Sequence, residues 1–325
     1  MIGRAIDPDS VPSVMHLRVI CPPERTEAVL AVVLVEVGAT HVVTFRGAAV
    51  QPVGDVVEAD VTREAVDDVL GRLRELNVDR EGGITLEAID TTLSDVADHA
   101  VEAAPGDPAD AIIWDDLIAR TGEESRLSVS YQTFLTIACV LAAIGAITDS
   151  PVTVVGAMVL GPEFGPLAAI AVGLVLRRGD LVRRGAAALY VGFPVAMAFT
   201  AGAALLFTAT GLLNERTLES LQQVEFIYEV GPFSFIVALL AGAAGMLAMT
   251  SAKSASLVGV FISVTTVPAA AFAAAAVVEG NFAQAAGSAL QLLVNLVGIV
   301  LAAALVLVGT KRFRGSRPMR RLRSG

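Results

Sequence analysis

From residue 131 onward the chain is a succession of six apolar runs, approximately 131–149, 151–176, 186–213, 233–251, 254–278 and 285–309. About 20 helical residues, rising about 1.5 Å each, cross about 30 Å of hydrocarbon, so each run is long enough to span a bilayer. Each carries at most one formal charge near its middle, and charges crowd the connections. With 54% apolar residues, 17% charged ones and a mean hydropathy of +0.68, the composition argues against a wholly soluble protein. The expectation is a six-helix all-α membrane domain over 131–310.

Lysine and arginine placement orients these spans. With the N-terminus inside, one side holds Arg177, Arg178, Arg183, Arg184, Lys253 and seven residues between Lys311 and Arg323; the other holds only Arg216. Both termini are therefore expected in the cytoplasm, with the basic tail 311–325 anchored on anionic lipid. The outer connection 214–230 carries Glu215, Glu219, Glu225 and Glu229 and reads as a short surface helix.

Residues 1–130 differ in character, with 25 acidic and 10 basic side chains. An acidic surface without basic or aromatic clustering repels phosphate backbones, so no nucleic-acid partner is expected. Cys21 and Cys139 lie in different halves, and His16, His41 and His99 are scattered, so neither a disulfide framework nor a metal or cofactor site is indicated. Residues 1–14 lack the apolar run of a signal peptide and read as a disordered N-terminus.

Within 15–93 the pattern is strand 15–21, helix from Glu24 closed by Gly38 at a C-cap, strands 40–46 and 55–62 around a connector at 47–54, helix 63–77, and strand 84–90. Thr62 is a candidate N-cap, with Val66, Leu70, Leu73 and Leu76 on one face of the second helix. This βαββαβ order predicts an α+β ferredoxin-like domain with an assembly or regulatory role. Segment 94–130 reads as a linker broken at Pro105, Gly106 and Pro108, followed by an amphipathic helix bearing Ile112, Ile113, Trp114, Leu117 and Ile118. That helix either lies on the membrane with Trp114 at headgroup depth or packs on the soluble domain.

The membrane half contains one pattern twice. Gly145, a polar turn, Gly156, an interruption ending at Pro166, Gly179-Asp180 and Gly185 recur about 102 residues later as Gly245, a polar turn, Gly259, an interruption ending at Pro268, Gly280-Asn281 and Gly287. Three spans per unit is an odd number, so the second unit enters the membrane inverted, giving a 3+3 repeat with helices 2 and 5 broken. Gly161 to Pro166 lies about 15 Å from the Pro151 end at about 1.5 Å per residue, near mid-bilayer. The second interruption reaches a similar depth from the other side.

Broken backbone at that depth needs protein, water or ion partners. The candidate substrate or ion site is therefore Gly161, Pro162, Glu163, Gly165 and Pro166 with Thr265, Thr266 and Pro268. Glu163 leads, because an ionisable group within a span costs at least about 2.5 kcal/mol on insertion scales. It either binds a cation or proton or stays protonated as a structural group. Half-helices beginning at Pro166 and Pro268 turn positive ends toward the same place, which would instead suit an anion. Asp149 and Ser150 either cap the helix at Pro151 or line an outer entrance. Gln291 and Asn295, one turn apart, either hold helices together or face a pathway.

No GxSxG, HExxH or paired-aspartate spacing occurs in the spans and no Walker A pattern in the chain, so neither an enzyme nor an ATP-driven pump is expected. The expected function is secondary transport of a small solute or ion by a homo-oligomer; an oligomeric channel and a receptor or scaffold signalling through the soluble domain are the alternatives.

Three stretches, WDDLIARTGEESRLS at 114–128, IGAITDSPVTVVGAMVLGPEFGP at 144–166 and RRGDLVRR at 177–184, resemble the bacterial membrane family catalogued as domain of unknown function 389, over roughly residues 112–310. The resemblance implies a polytopic inner-membrane protein and supplies no substrate. Members of that family show a less polar P-L-M-G-P where this chain has Pro162-Glu163-Phe164-Gly165-Pro166, so the resemblance assigns Glu163 no family-wide role.

Overall fold

A computed structural model describes residues 14–89, 91–104, 106, 111–211, 232–251 and 265–315. The chain divides into two compact units, Met1–Leu117 with Thr250–Lys253, and Ile118–Met249 with Ser254–Gly325. The outer connection 214–230, Lys253, the first half of the fifth span and most of the basic tail lie outside the described residues.

The first unit is a four-stranded antiparallel sheet. Strands β1 (Val14–Cys21), β2 (Ala39–Val50), β3 (Val53–Thr62) and β4 (Gly83–Ala88) lie in the order β2-β3-β1-β4. Helix α1 (Thr26–Val35) lies between β1 and β2, and α2 (Arg63–Glu75) with the single turn α3 (Val78–Glu81) between β3 and β4. Alternation along β1 sends Met15, Leu17, Val19 and Cys21 to the core, where Val57, Ala59 and Val61 of β3 meet Val29 and Val33 of α1 and Val66, Leu70 and Leu73 of α2. Leu76 packs at its margin, completing the face expected of α2.

Three local expectations change. Helix α1 ends at Val35 and is preceded by a 3-10 turn at Pro23–Arg25; Gly38 does not close it. Instead a Cβ on Gly38 would come within 2.3 Å of Thr62 Oγ1, so the glycine admits a close crossing. Thr62 occupies the N-cap position of α2 without a side-chain capping bond. The connector at 47–54 is mostly strand, leaving Gln51 and Pro52 as the turn. A register shift between Phe45 and Ala49 absorbs the mismatch, with Gly47 at φ +62°.

Asp55, only 3% exposed, holds that bulge: it accepts from Gly47 N (2.7 Å), Thr26 Oγ1 (2.7 Å) and Arg46 Nη1 (3.1 Å). It thereby ties the first turn of α1 to both strands of the hairpin. His16 and His41 lie on strands and both place Nδ1 on the Asp60 carboxylate, at 2.9 and 2.7 Å.

The stretch expected as a linker contains a helix, α4 (Asp95–Ala103), whose N-cap Ser94 accepts from Ala97 N. Helix α5 (Trp114–Glu124) follows. Ile112, Ile113 and Leu117 are buried, Ile113 belongs to the sheet-and-helix core, and Trp114 N donates to Asp67 Oδ1 at 3.2 Å. Of the two placements open to this segment, its start therefore takes the one packed on the soluble domain.

The second unit is helical: α6 (Val129–Ile147), α7 (Pro151–Leu160), α8 (Phe164–Leu176), α9 (Gly179–Ala209), α10 (Pro232–Thr250), α11 (Thr266–Val278) and α12 (Phe282–Gly315). Among the described residues four helices, α6, α9, α10 and α12, are long and apolar enough to cross a membrane, and the α7–α8 pair, bent by 50°, is apolar and long enough for a fifth if it is one span and not a re-entrant loop. Helix α11 is apolar but 13 residues long. Helix α9 begins at Gly179, seven residues ahead of the expected span, because the charged turn containing Asp180, Arg183 and Arg184 continues the helix.

Lengths recur along this unit. Helices α6, α8 and α9 have 19, 13 and 31 residues; α10, α11 and α12 have 19, 13 and 34. The turn after α8 closes with Arg178 N on Gly173 O (2.8 Å), and the turn after α11 with Asn281 N on Ala276 O (2.9 Å), the same six-to-one bond. Gly192 of α9 packs on Tyr131 and Leu135 of α6; Gly242 of α10 packs on Ile299 of α12. Across the halves, α11 packs on α9 and α8 on α12.

Two outcomes test the first unit, whose neighbourhood contains the chain's single tryptophan, Trp114. Leu73→Ala is expected to destabilise it by about 3 kcal/mol, the typical cost of a buried leucine truncation, in urea unfolding followed by Trp114 fluorescence. The Gly47 N–H above all, then Thr26 and Arg46, hold the Asp55 carboxyl below its ordinary value. Stability from Asp55 is therefore full above about pH 4, the unfolded value, and is lost as pH falls through the lowered folded value. Asp55→Asn is expected to weaken the unit at neutral pH and to flatten that acid limb.

Candidate functional site

The break between α7 and α8 is built by residues that resist a continuous helix. Gly161 leaves α7 in an extended conformation, Pro162 follows, and Glu163 occupies the N-cap position of α8. Pro166 is the third residue of α8, in the first turn where its missing N–H costs no bond. Pro268 holds the same third place in α11, whose N-cap is Thr265. Both caps use their carbonyls alike: Leu167 N donates to Glu163 O and Ala269 N to Thr265 O, each at 3.2 Å.

These two helix starts meet. Thr266 Oγ1 donates to Glu163 Oε1 at 2.5 Å, and Asn295 Nδ2 of α12 donates to Thr265 Oγ1 at 2.7 Å. A Cβ on Gly161 would lie 2.2 Å from Glu163 Oε2 and 2.8 Å from Val267 Cγ2, so the absence of a side chain there makes room for the carboxylate and for α11. Glu163 is 4% exposed and Thr266 0%.

In this cluster Glu163 Oε2 and Asn295 Oδ1, and one and two turns earlier on α12 Gln291 Oε1 and Ser288 Oγ, are buried and lack a hydrogen-bond partner among the described residues. The last three residues recur along α12 at helical spacing and are each at most 2% exposed. Two N-termini supply partial positive charge to Glu163, and one carboxylate with hydroxyl and amide oxygens supplies the lone pairs. Such an arrangement can hold a small cation or a proton, or present polar groups to a solute.

The structure thus brings together Gly161, Glu163, Thr265, Thr266 and Asn295, with Pro162 and Pro268 shaping the two helix starts. Gly165 and Pro166 face elsewhere: Gly165 abuts Glu124, where a Cβ would come within 2.6 Å of the glutamate Cβ, and Pro166 O is approached by Gly185 of α9. Asp149 and Ser150 form the turn between α6 and α7, at the opposite end of α7 from the break. Asp149 has φ +47°, and the Ser150 side chain accepts from Thr153 N as the N-cap of α7. Ser288 was not picked out by the sequence. Its signal is the spacing to Gln291 and Asn295, legible once one face of α12 is known to be buried.

Residues 158–301, from the last turns of α7 to the middle of α12, match the model of a family described as Domain of unknown function (DUF389), the family the sequence motifs resemble. The matched stretch contains both helix starts and the α12 polar residues. Comparisons with curated proteins and with solved structures gave no match.

Gly161→Ala is expected to displace the Glu163 carboxylate and lower the melting temperature of the full chain in detergent. Gly156→Ala, where an added Cβ meets nothing within 4 Å, is expected to be neutral or slightly stabilising. Equal melting temperatures for the two variants would refute the packing role of Gly161.

Proposed function

We propose that the helical unit is a secondary transporter of a small solute or ion, made of two inverted three-span repeats whose broken helices meet at the binding site. The observation that carries this is the convergence of the α8 and α11 N-termini on a buried carboxylate with an unpaired oxygen. The matched lengths, the identical turn closures and the paired positions Glu163/Thr265 and Pro166/Pro268 support the repeat. So does the reciprocal packing of α11 on α9 and α8 on α12. With 13 residues each, α8 and α11 are each about 20 Å long at about 1.5 Å per residue and lead away from the meeting point, which suits a site deep in the bilayer.

In this proposal the fifth span is completed by residues before Thr265, and both termini face the cytoplasm, as the arginine and lysine distribution favours. The order β2-β3-β1-β4, with helices in the two β-to-β crossovers, supports a ferredoxin-like soluble domain that assembles or regulates protomers of a homo-oligomer in a bacterial plasma membrane.

Reconstituted full-length protein tests the mechanism. Saturable counterflow of a labelled solute, found by screening small-molecule and ion pools, is the expected result, with Glu163→Gln altering its pH or cation dependence. Electrodiffusive current without counterflow would replace the carrier by a channel. If no flux occurs while deletion of residues 1–93 abolishes the cellular phenotype of the intact gene, transport gives way to signalling.

A further inference from the structure

We infer that the Glu163 cluster is a sodium-ion site, approached along α12 past Ser288 and Gln291. This rests on the helical unit being a carrier with its site at the paired helix starts, and it names the ion that such a carrier would couple to.

The four atoms left unpaired here among the described residues, Glu163 Oε2, Asn295 Oδ1, Gln291 Oε1 and Ser288 Oγ, are oxygens: one from a carboxylate, two from amides and one from a hydroxyl. Leaving such acceptors unmatched is costly, and most so for a charged group, so the cluster is built for something that is missing from the bundle itself. Protonation of Glu163 would not resolve this, because it would add a donor at Oε2 without satisfying Asn295 Oδ1, Gln291 Oε1 or Ser288 Oγ. A cation satisfies acceptors directly.

The donor set selects the cation. Carboxylate, hydroxyl and amide oxygens are hard ligands suited to hard cations, whereas softer transition metals draw on imidazole and thiolate. Among the described residues no three His, Cys, Asp or Glu side chains cluster. Glu163 brings one negative charge, and two helix N-termini offset part of it, which disfavours a divalent ion. A single positive charge matches what remains.

Placement supplies the route. Ser288, Gln291 and Asn295 run along one buried face of α12 over about 10 Å at about 1.5 Å per residue, and the last is bonded to the Thr265 cap. With the cytoplasmic termini proposed above, the Phe282 end of α12 lies on the outer side. Sodium would then enter from outside, pass Ser288 and Gln291, and settle between Glu163 Oε2 and Asn295 Oδ1 beside Thr265.

The test is thermal unfolding of the purified full chain in lipid nanodiscs, titrated with sodium chloride against choline chloride at fixed ionic strength and pH. Sodium is expected to raise the melting temperature saturably. The apparent affinity should fall at least about tenfold in Asn295→Ala and Gln291→Leu, and the sodium effect should vanish in Glu163→Gln. Should Glu163→Gln fail to fold, Thr265→Val provides the same comparison. A melting temperature indifferent to sodium, or an equal shift in all variants, overturns the assignment. So does stabilisation by acid in choline alone that Glu163→Gln removes, which would make the ligand a proton. Solute counterflow without any sodium shift sinks the sodium site and spares the carrier; a sodium shift in protein that exchanges no solute does the reverse.

Discussion

A carboxylate and a broken backbone inside an apolar helical bundle set the terms for the rest of the second unit. Without water at hand, every exposed carbonyl and every charge there must find a partner in the protein or in a ligand. The chain answers with a second helix start: Thr266 donates to Glu163, Asn295 donates to Thr265, and the missing side chain of Gly161 lets the carboxylate and Val267 share one small space. Pro166 and Pro268 stand in first turns, where no helical bond is lost. Partial positive charge from two N-termini then makes a buried carboxylate tolerable.

In the proposed carrier the same arrangement would link site and motion. A continuous α7–α8 helix would have no free N-terminus to offer, and a cluster confined to one half of the unit could not respond to movement of the other. Glu163 belongs to the first of the proposed repeats and Thr265, Thr266 and Asn295 to the second, so in the proposed carrier a ligand bonded to both would hold them together and its departure would free them. The glycine contacts Gly185 on Pro166 and Gly242 on Ile299 bring helix backbones close without side-chain interlock, as expected of helices packed in lipid. In the first unit the unifying group is also an acid, Asp55, but there it is matched by three donors and joins α1 to the β2–β3 hairpin.

Much of this was legible in residue order. Alternation in 15–21, the β-branched run at 55–62 and the 3.6-residue spacing of Val66, Leu70 and Leu73 marked strands and a helix of the first unit, and the apolar runs marked α6, α9, α10 and α12. The Gly161 to Pro166 stretch announced a break because glycine and proline act locally, through φ and the missing N–H. What escaped was set by remote contact. Gly38 looked like a helix cap and is instead a crossing point against Thr62; the connector at 47–54 became strand because Asp55 secures a bulge at Gly47; Ser288 looked like one more small residue in an apolar run; and Gly165, grouped with the site, abuts Glu124.

By itself, then, the order of residues determined which segments could leave water, where the helices had to break, and that an acid would sit in one of the breaks, since hydropathy, backbone stereochemistry and charge are properties of short stretches. Only the folded chain decided that Thr266, 103 positions away, would donate to that acid, that Asn295 would secure the neighbouring cap, and that one Glu163 oxygen would be left without a donor among the described residues. Hydrogen bonds are directional and reach about 3 Å, so their pairing depends on how distant helices pack and not on what lies beside them in the chain.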